Sequence, residues 1–234
     1  MSTTAPATAQ ETMVSLVGSL ADNKAALGRA YADWAVSAPT LESAVAAAAM
    51  AQDELGHARS TYPVLKALGV EDSEVDAGRR LALLDQGLED WTALIAANLL
   101  VDGVLTTFVS ACVDSSVEQM ASRARKILQE EGSHRVHGEA WAKRLARGGA
   151  ADRAHLLACL NDTWEQASRW IGPADDPGMA AALAEGMVDA TPTQQREAVR
   201  HWLTELLAAE GLDVVLPEPS DWTGWDPATR RWTA

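Results

Sequence analysis

A glutamate and a histidine three residues apart on a helix lie about 300° apart around its axis, so carboxylate and imidazole share one face and can hold one ion together. Glu54-x-x-His57 has this spacing, in the alanine-rich run Met50-Ala51-Gln52-Asp53-Glu54-Leu55-Gly56-His57-Ala58-Arg59. Gln129-Glu130-Glu131-Gly132-Ser133-His134 repeats it, and each copy has Gln two places before the Glu and an acid directly before it. A single copy arises easily by chance on a solvated helix face. Two copies on separate helices are an internal repeat of a metal-ligand pattern. Two-metal four-helix bundles take their ligands from two such helices plus one carboxylate from each of two others.

Asp102 is the natural third source. It stands between Leu99-Leu100-Val101 and Val104-Leu105, where a carboxylate is costly to bury unless it is coordinated or paired. The plain alternative is a structural carboxylate hydrogen-bonded to a neighbouring helix. The expected metal ligands are then Glu54, His57, Asp102, Glu131 and His134, five of the six positions. The sixth belongs on the first helix, where the apolar stripe Leu16, Leu20, Leu27, Tyr31 and Trp34 carries Lys24. Either Lys24 snorkels at the edge of the stripe, or its ammonium enters the site and supplies one positive charge where a second metal would supply two. On the inward reading Lys24, Glu54 and Glu131 are the residues at the chemistry, and the site holds one metal or none. Carboxylates with two imidazoles and no thiolate suit Fe(II) or Mn(II). Asp53 and Glu130 lie about 100° off the ligand face and either orient the imidazole of the opposite motif or pair with Arg59 and Arg135 in solvent. His137 reads as a neighbour of the site; His155 and His201 receive no role.

These residues need four long helices. The first runs from Thr12 to about Ser37 and stops at Ala38-Pro39; the second opens at Pro39 or Thr40 and ends at Gly69. After a polar link over 71–76, a third helix includes the apolar stretch 91–113, and a fourth, capped at Ser115 or Ser116, ends at 147–149. A fifth helix covers about 151–170, and two shorter ones cover about 179–188 and 192–209, the last with Thr191 as cap and Pro192 in the first turn. The expected organisation is a flexible segment over 1–12, one helical domain over 13–211 and an extended arm over 212–234. The arm's Trp222, Trp225 and Trp232 require an apolar groove on this chain or on a partner.

With 234 residues and a formal charge of −14, the chain can close one core, and its charge argues against nucleic acid or an anionic membrane as partner. No signal peptide is read at the start, and the two cysteines, Cys112 and Cys159, read as reduced packing thiols. A cytoplasmic location is expected.

Asp22-Asn23 with Leu27-Gly28, Trp34-x-x-x-Ala38-Pro39-Thr40-Leu41, Gln52-Asp53-Glu54-x-Gly56-His57, Leu100-Val101-Asp102-Gly103 and Glu130-Glu131-x-x-His134 together resemble the phenylacetyl-CoA monooxygenase (epoxidase) subunit family. The resemblance covers about residues 20–170. It implies an all-α, ferritin-like four-helix bundle, here with additional C-terminal helices and an extended Trp/Pro-rich tail. It also implies a choice between two subunit types: a catalytic one, whose two-iron centre inserts one oxygen of O₂ into the ring of an aromatic coenzyme A thioester, and a structural one that has largely lost its ligands. The five ligand positions match the catalytic type, whereas the segment from Asp22-Asn23 to Gly28 looks more like the structural type. Lys24 stands where the catalytic type has its first-helix Glu. The leading expectation is therefore an iron-dependent oxygenase component with one or two ions, iron or manganese, acting on an acyl-CoA-like small molecule. It would be an oligomer, a dimer with itself or with a related subunit, fed by a separate reductase because no nucleotide loop or cysteine cluster is present. The first competing expectation is a metal-poor, non-catalytic structural subunit, its metal site altered by Lys24, that pairs with a catalytic homologue and holds it in shape. The second is iron storage or peroxide detoxification.

Overall fold

The computed structural model describes residues 7–71 and 76–233. Helix α1 spans Ala9–Ala35 and begins before the apolar pattern does, because Thr8 and Glu11 form a reciprocal capping box that satisfies two free N–H groups of the first turn. Residues 1–6 of the expected flexible segment lie outside the described residues, as do 72–75 of the polar link. Helix α2, Leu41–Ala67, opens on Thr40, whose hydroxyl accepts from the Ser43 N–H. It ends at Leu68, with Gly69 following at φ +84°. The two helices touch closely: a Cβ on Gly28 would sit 2.8 Å from the Leu55 side chain, so this position accepts nothing larger.

The third bundle helix is interrupted. It comprises α3, Trp91–Ala97, then a π-helical turn, Asn98–Asp102, then α4, Gly103–Ala111. The widened turn displaces the helical register by about one residue just where Asp102 must point inward. By length and composition this 91–111 stretch alone among the described residues could cross a membrane, yet most of it is buried inside the bundle. Helix α5, Glu118–Ala146, completes the four, starting after Val117, whose N–H is accepted by Ser115 Oγ. Its Gly138 lets the π turn approach, since a Cβ there would overlap Asn98. Leu20, Leu27, Leu100, Leu105, Phe108 and Ile127 fill the interior.

Helix α6, Ala150–Trp170, packs Trp170 edge-on to Phe108, and the Trp170 indole N–H donates to Ser19 Oγ. Two shorter helices follow, α7 over Pro177–Ala184 and α8 over Pro192–Ala208, the latter with Thr191 as cap and Pro192 in its first turn. The first part of the arm lies on the surface as an extended chain. Leu212, Val214 and Leu216 are buried in alternation with exposed neighbours, the period of an extended chain lying on a surface. A short hairpin then pairs β1, Trp225–Asp226, with β2, Arg231–Trp232. Its indoles find their groove on this chain. Trp232 stacks under Arg169 and Trp225 under Arg230, while the Arg230 guanidinium, itself buried, donates to Trp170 O and Ile171 O.

Candidate metal centre

Lys24 points inward from α1. Its Nζ lies 3.0 Å from Glu54 Oε1, 2.5 Å from Asp102 Oδ1 and 2.6 Å from Glu131 Oε1, with no exposed side-chain surface. One carboxylate comes from each of α2, the π turn and α5, so all four bundle helices meet at this ammonium. The snorkelling alternative is excluded by this burial. Beside Lys24, Asp22 and Asn23 turn away from the centre and hold the segment after residue 76: Asp22 accepts from Tyr62 Oη and from the Arg79 backbone and guanidinium, and Asn23 Oδ1 accepts from the Leu81 N–H.

The two imidazoles flank the carboxylates. His134 Nδ1 is 3.1 Å from Glu54 Oε1, 3.4 Å from Asp102 Oδ2 and 3.7 Å from Glu131 Oε2. Ligand atoms of Glu54, Asp102, Glu131 and His134 all lie within 4.8 Å of one another. His57 Nδ1 is 3.3 Å from Glu131 Oε1 and 4.0 Å from Glu54 Oε2. Of the two alternatives for Asp53 and Glu130, the far nitrogens take the first and cross over to the acid of the opposite motif: His57 Nε2 meets Glu130 at 2.6 Å and His134 Nε2 meets Asp53 at 3.3 Å. These acids hold each ring with Nδ1 turned inward. Arg135, the solvent partner considered for Glu130, pairs with Glu139 instead.

The electrostatics follow from three buried carboxylates around one ammonium. Burial opposes the charge on Lys24, but Asp102, Glu131 and Glu54 outweigh it and hold the lysine well above its ordinary range. Burial and the neighbouring Asp102 charge raise Glu54 to about 7, with Lys24 pulling the other way. Burial also acts to raise Asp102, but Lys24 and the His134 hydrogen bond outweigh it and lower the carboxyl. For His134, burial is outweighed by hydrogen bonds to Asp102 and Glu54, raising the imidazole to about 11. Three carboxylates less one ammonium leave two negative charges. Without a metal, one proton on His134 and one on Glu54 balance them.

One divalent cation matches that charge with both imidazoles neutral, and the donor set fits it. Glu54 Oε2 and His57 Nδ1 are buried without a hydrogen-bond partner, and carboxylate with imidazole is a set for Fe(II) or Mn(II). Two divalent ions do not fit, because the ammonium stands where the sixth ligand would.

A cavity of about 330 Å³ reaches the centre at Asp102 and Glu131, bounded by Thr106, Thr107, Leu128, Arg135 and Trp202. Thr106 Oγ1 donates to Glu131 Oε2 at 3.2 Å. From sequence, Thr106 carries no signal beyond standing four residues after Asp102 and so on the same helical face. Arg135 stacks on the Trp202 ring, and both donate to Glu139, which fixes the outer wall. Tyr31, also unassigned from sequence, accepts from Asn98 Nδ2 and lies edge-on to His134.

A family model described as phenylacetic acid catabolic protein matches residues 1–234. One of the subunits of 1,2-phenylacetyl-CoA epoxidase from Escherichia coli (strain K12) is 25% identical over 197 residues, covering 81% of this chain and 77% of its own.

Proposed function

The chain belongs to the phenylacetic acid catabolic protein family, and we propose that it is the metal-binding subunit of an oxygenase acting on an aromatic acyl thioester. The observation that carries this reading is the four-ligand cluster of Glu54, Asp102, Glu131 and His134, open at Asp102 and Glu131 to a cavity large enough for a small organic substrate. Glu54, Asp102, Glu131 and His134 would hold one iron or manganese ion, with His57 as a further ligand. When bound, such an ion supplies activation of O₂ with electrons delivered from outside.

The chain's own residues have separate tasks. Lys24 fixes the three carboxylates and lowers their charge by one. Glu130 and Asp53 fix the imidazoles. Thr106 holds the second oxygen of Glu131 at the cavity wall, and Arg135 stacked on Trp202 forms part of the cavity's outer wall. An aromatic acyl thioester is suggested by the name of the related epoxidase, and its being built of subunits supports pairing with a related chain and a separate reductase.

Metal analysis of protein made in iron-supplemented medium tests this, with Lys24→Glu as comparison. About one ion per chain is expected in the wild type and about two in the variant, since the substitution changes the site by two charges. No ion in the wild type would favour a second reading, a scaffold subunit that shapes a catalytic relative. Its specific support is Lys24, whose three ion pairs already tie the helices together without a metal.

A further inference from the structure

A second cluster lies at the surface where α3 begins. Asp90 is the N-cap of α3: its Oδ1 accepts from the Ala93 N–H at 2.8 Å. Its other oxygen, Oδ2, is 2.6 Å from His155 Nε2 on α6. Cys159, one turn further along α6, places Sγ 3.8 Å from the same Nε2. Carboxylate, imidazole and thiol thus converge from two elements, with ligand atoms within 4.8 Å of one another. Asp90 and His155 are about half exposed, so a cation can reach them directly from solvent.

We propose that Asp90, His155 and Cys159 form a binding site for a thiophilic divalent cation of the zinc class, which clamps the start of α3 to α6. The donor types are those of zinc: one thiolate, one imidazole and one carboxylate, with a fourth position left to water. The distances are close to what such an ion needs. Zn–S of about 2.3 Å and Zn–N of about 2.0 Å at a tetrahedral angle put sulfur and nitrogen about 3.5 Å apart, against 3.8 Å here. Nitrogen and carboxylate oxygen would sit about 3.4 Å apart, so the Asp90–His155 hydrogen bond opens by less than 1 Å and its shared proton leaves. Half-exposed side chains allow that shift, and Oδ1 keeps its cap.

The local field favours a cation. Burial first, and then the charges of Asp90, Asp162 and Glu89, push the Cys159 thiol up to about 11, and carboxylates that resist a thiolate attract a divalent ion. The donor set also separates this site from the bundle interior, which has no sulfur ligand. The other cysteine, Cys112, is fully buried in the apolar core.

Co(II) reports a thiolate ligand by its charge-transfer absorption, which carboxylate and imidazole ligands do not give. Titrating the chelator-treated, untagged full chain with Co(II) is expected to produce that absorption, to retain it in Cys112→Ala and to lose it in Cys159→Ser. Asp90→Asn, which keeps the cap, and His155→Gln should weaken Co(II) binding at this site by at least about tenfold, as loss of even an indirect metal contact does. On the unmodified protein, Zn(II) should slow alkylation of Cys159 by a similar factor. Absence of the absorption, its persistence in Cys159→Ser, or an alkylation rate indifferent to Zn(II) overturns the proposal.

Discussion

Replacing Lys24 with Met removes the one ammonium that touches Glu54, Asp102 and Glu131 and leaves a side chain of similar length in the same space. Breaking a buried ion pair from one side costs roughly 3–5 kcal/mol, and the centre suggests why the figure stays in that range although three contacts are lost. Rather than keep an uncompensated charge, the site takes up a proton. For a glutamate with an ordinary value of 4.5, protonation at pH 7 spans 2.5 pH units at about 1.36 kcal/mol each, or about 3.4 kcal/mol. For Asp102, starting at 3.8, it is about 4.4 kcal/mol. The carboxyl that takes the proton has a folded value above its unfolded one. Its contribution is therefore present below about pH 4 and lost as the pH rises toward 7. The penalty of Lys24→Met should accordingly fall by about 2.7 kcal/mol between pH 7 and pH 5. Urea unfolding of both proteins in chelator at the two pH values measures it. A destabilisation below about 1 kcal/mol at pH 7, or one that does not change with pH, would refute the argument.

Three further outcomes follow from the same geometry. Because His134 is raised to about 11 from 6.5, its proton supports the metal-free fold fully below about pH 6.5, and that support is lost as pH climbs through 11; thermal unfolding in chelator should show the decline. The same proton competes with a metal at Nδ1, so Mn(II) should bind more tightly at pH 8 than at pH 6, as isothermal titration would read. Gly138→Ala forces a Cβ onto Asn98, and chemical denaturation should show a loss of about 1–3 kcal/mol, the usual cost of overpacking.

What could be read from the sequence was local. Glu54, His57, Glu131 and His134 follow from one helical spacing repeated twice, and Thr40, Thr191 and Pro192 announce their helix starts by residue type. The direction of Lys24 could not be read, because an apolar stripe gives the face of a helix and not whether a long cation at that face bends outward or inward. Nor could the π turn at Asn98–Asp102, since all its residues suit an ordinary helix; only the folded structure shows Asn98 packed closely against Gly138 of the facing helix. Asp90 and His155 lie 65 positions apart, and only the packing of α3 on α6 unites them. Asp22 and Asn23 carried the family likeness without a stated task, which is to hold the 79–81 backbone beside the centre.

The position of Lys24 also explains how a ligand pattern can lose a carboxylate and still fold. With Glu at that position the interior would hold four carboxylates, whose burial in one bundle requires about four positive charges, the charge of two divalent ions. Lys at the same position changes the demand by two, so one divalent ion, or two protons on groups already poised to accept them, suffices. The raised values of Glu54 and His134 are where those protons reside. On this charge balance the bundle can close without a metal, whereas a four-carboxylate interior would depend on metal to close. The comparison of Lys24→Glu with wild type in chelator separates the two cases: the variant should lose more stability on metal removal than the wild type does, and an equal loss would place the origin of the fold's metal independence outside this centre.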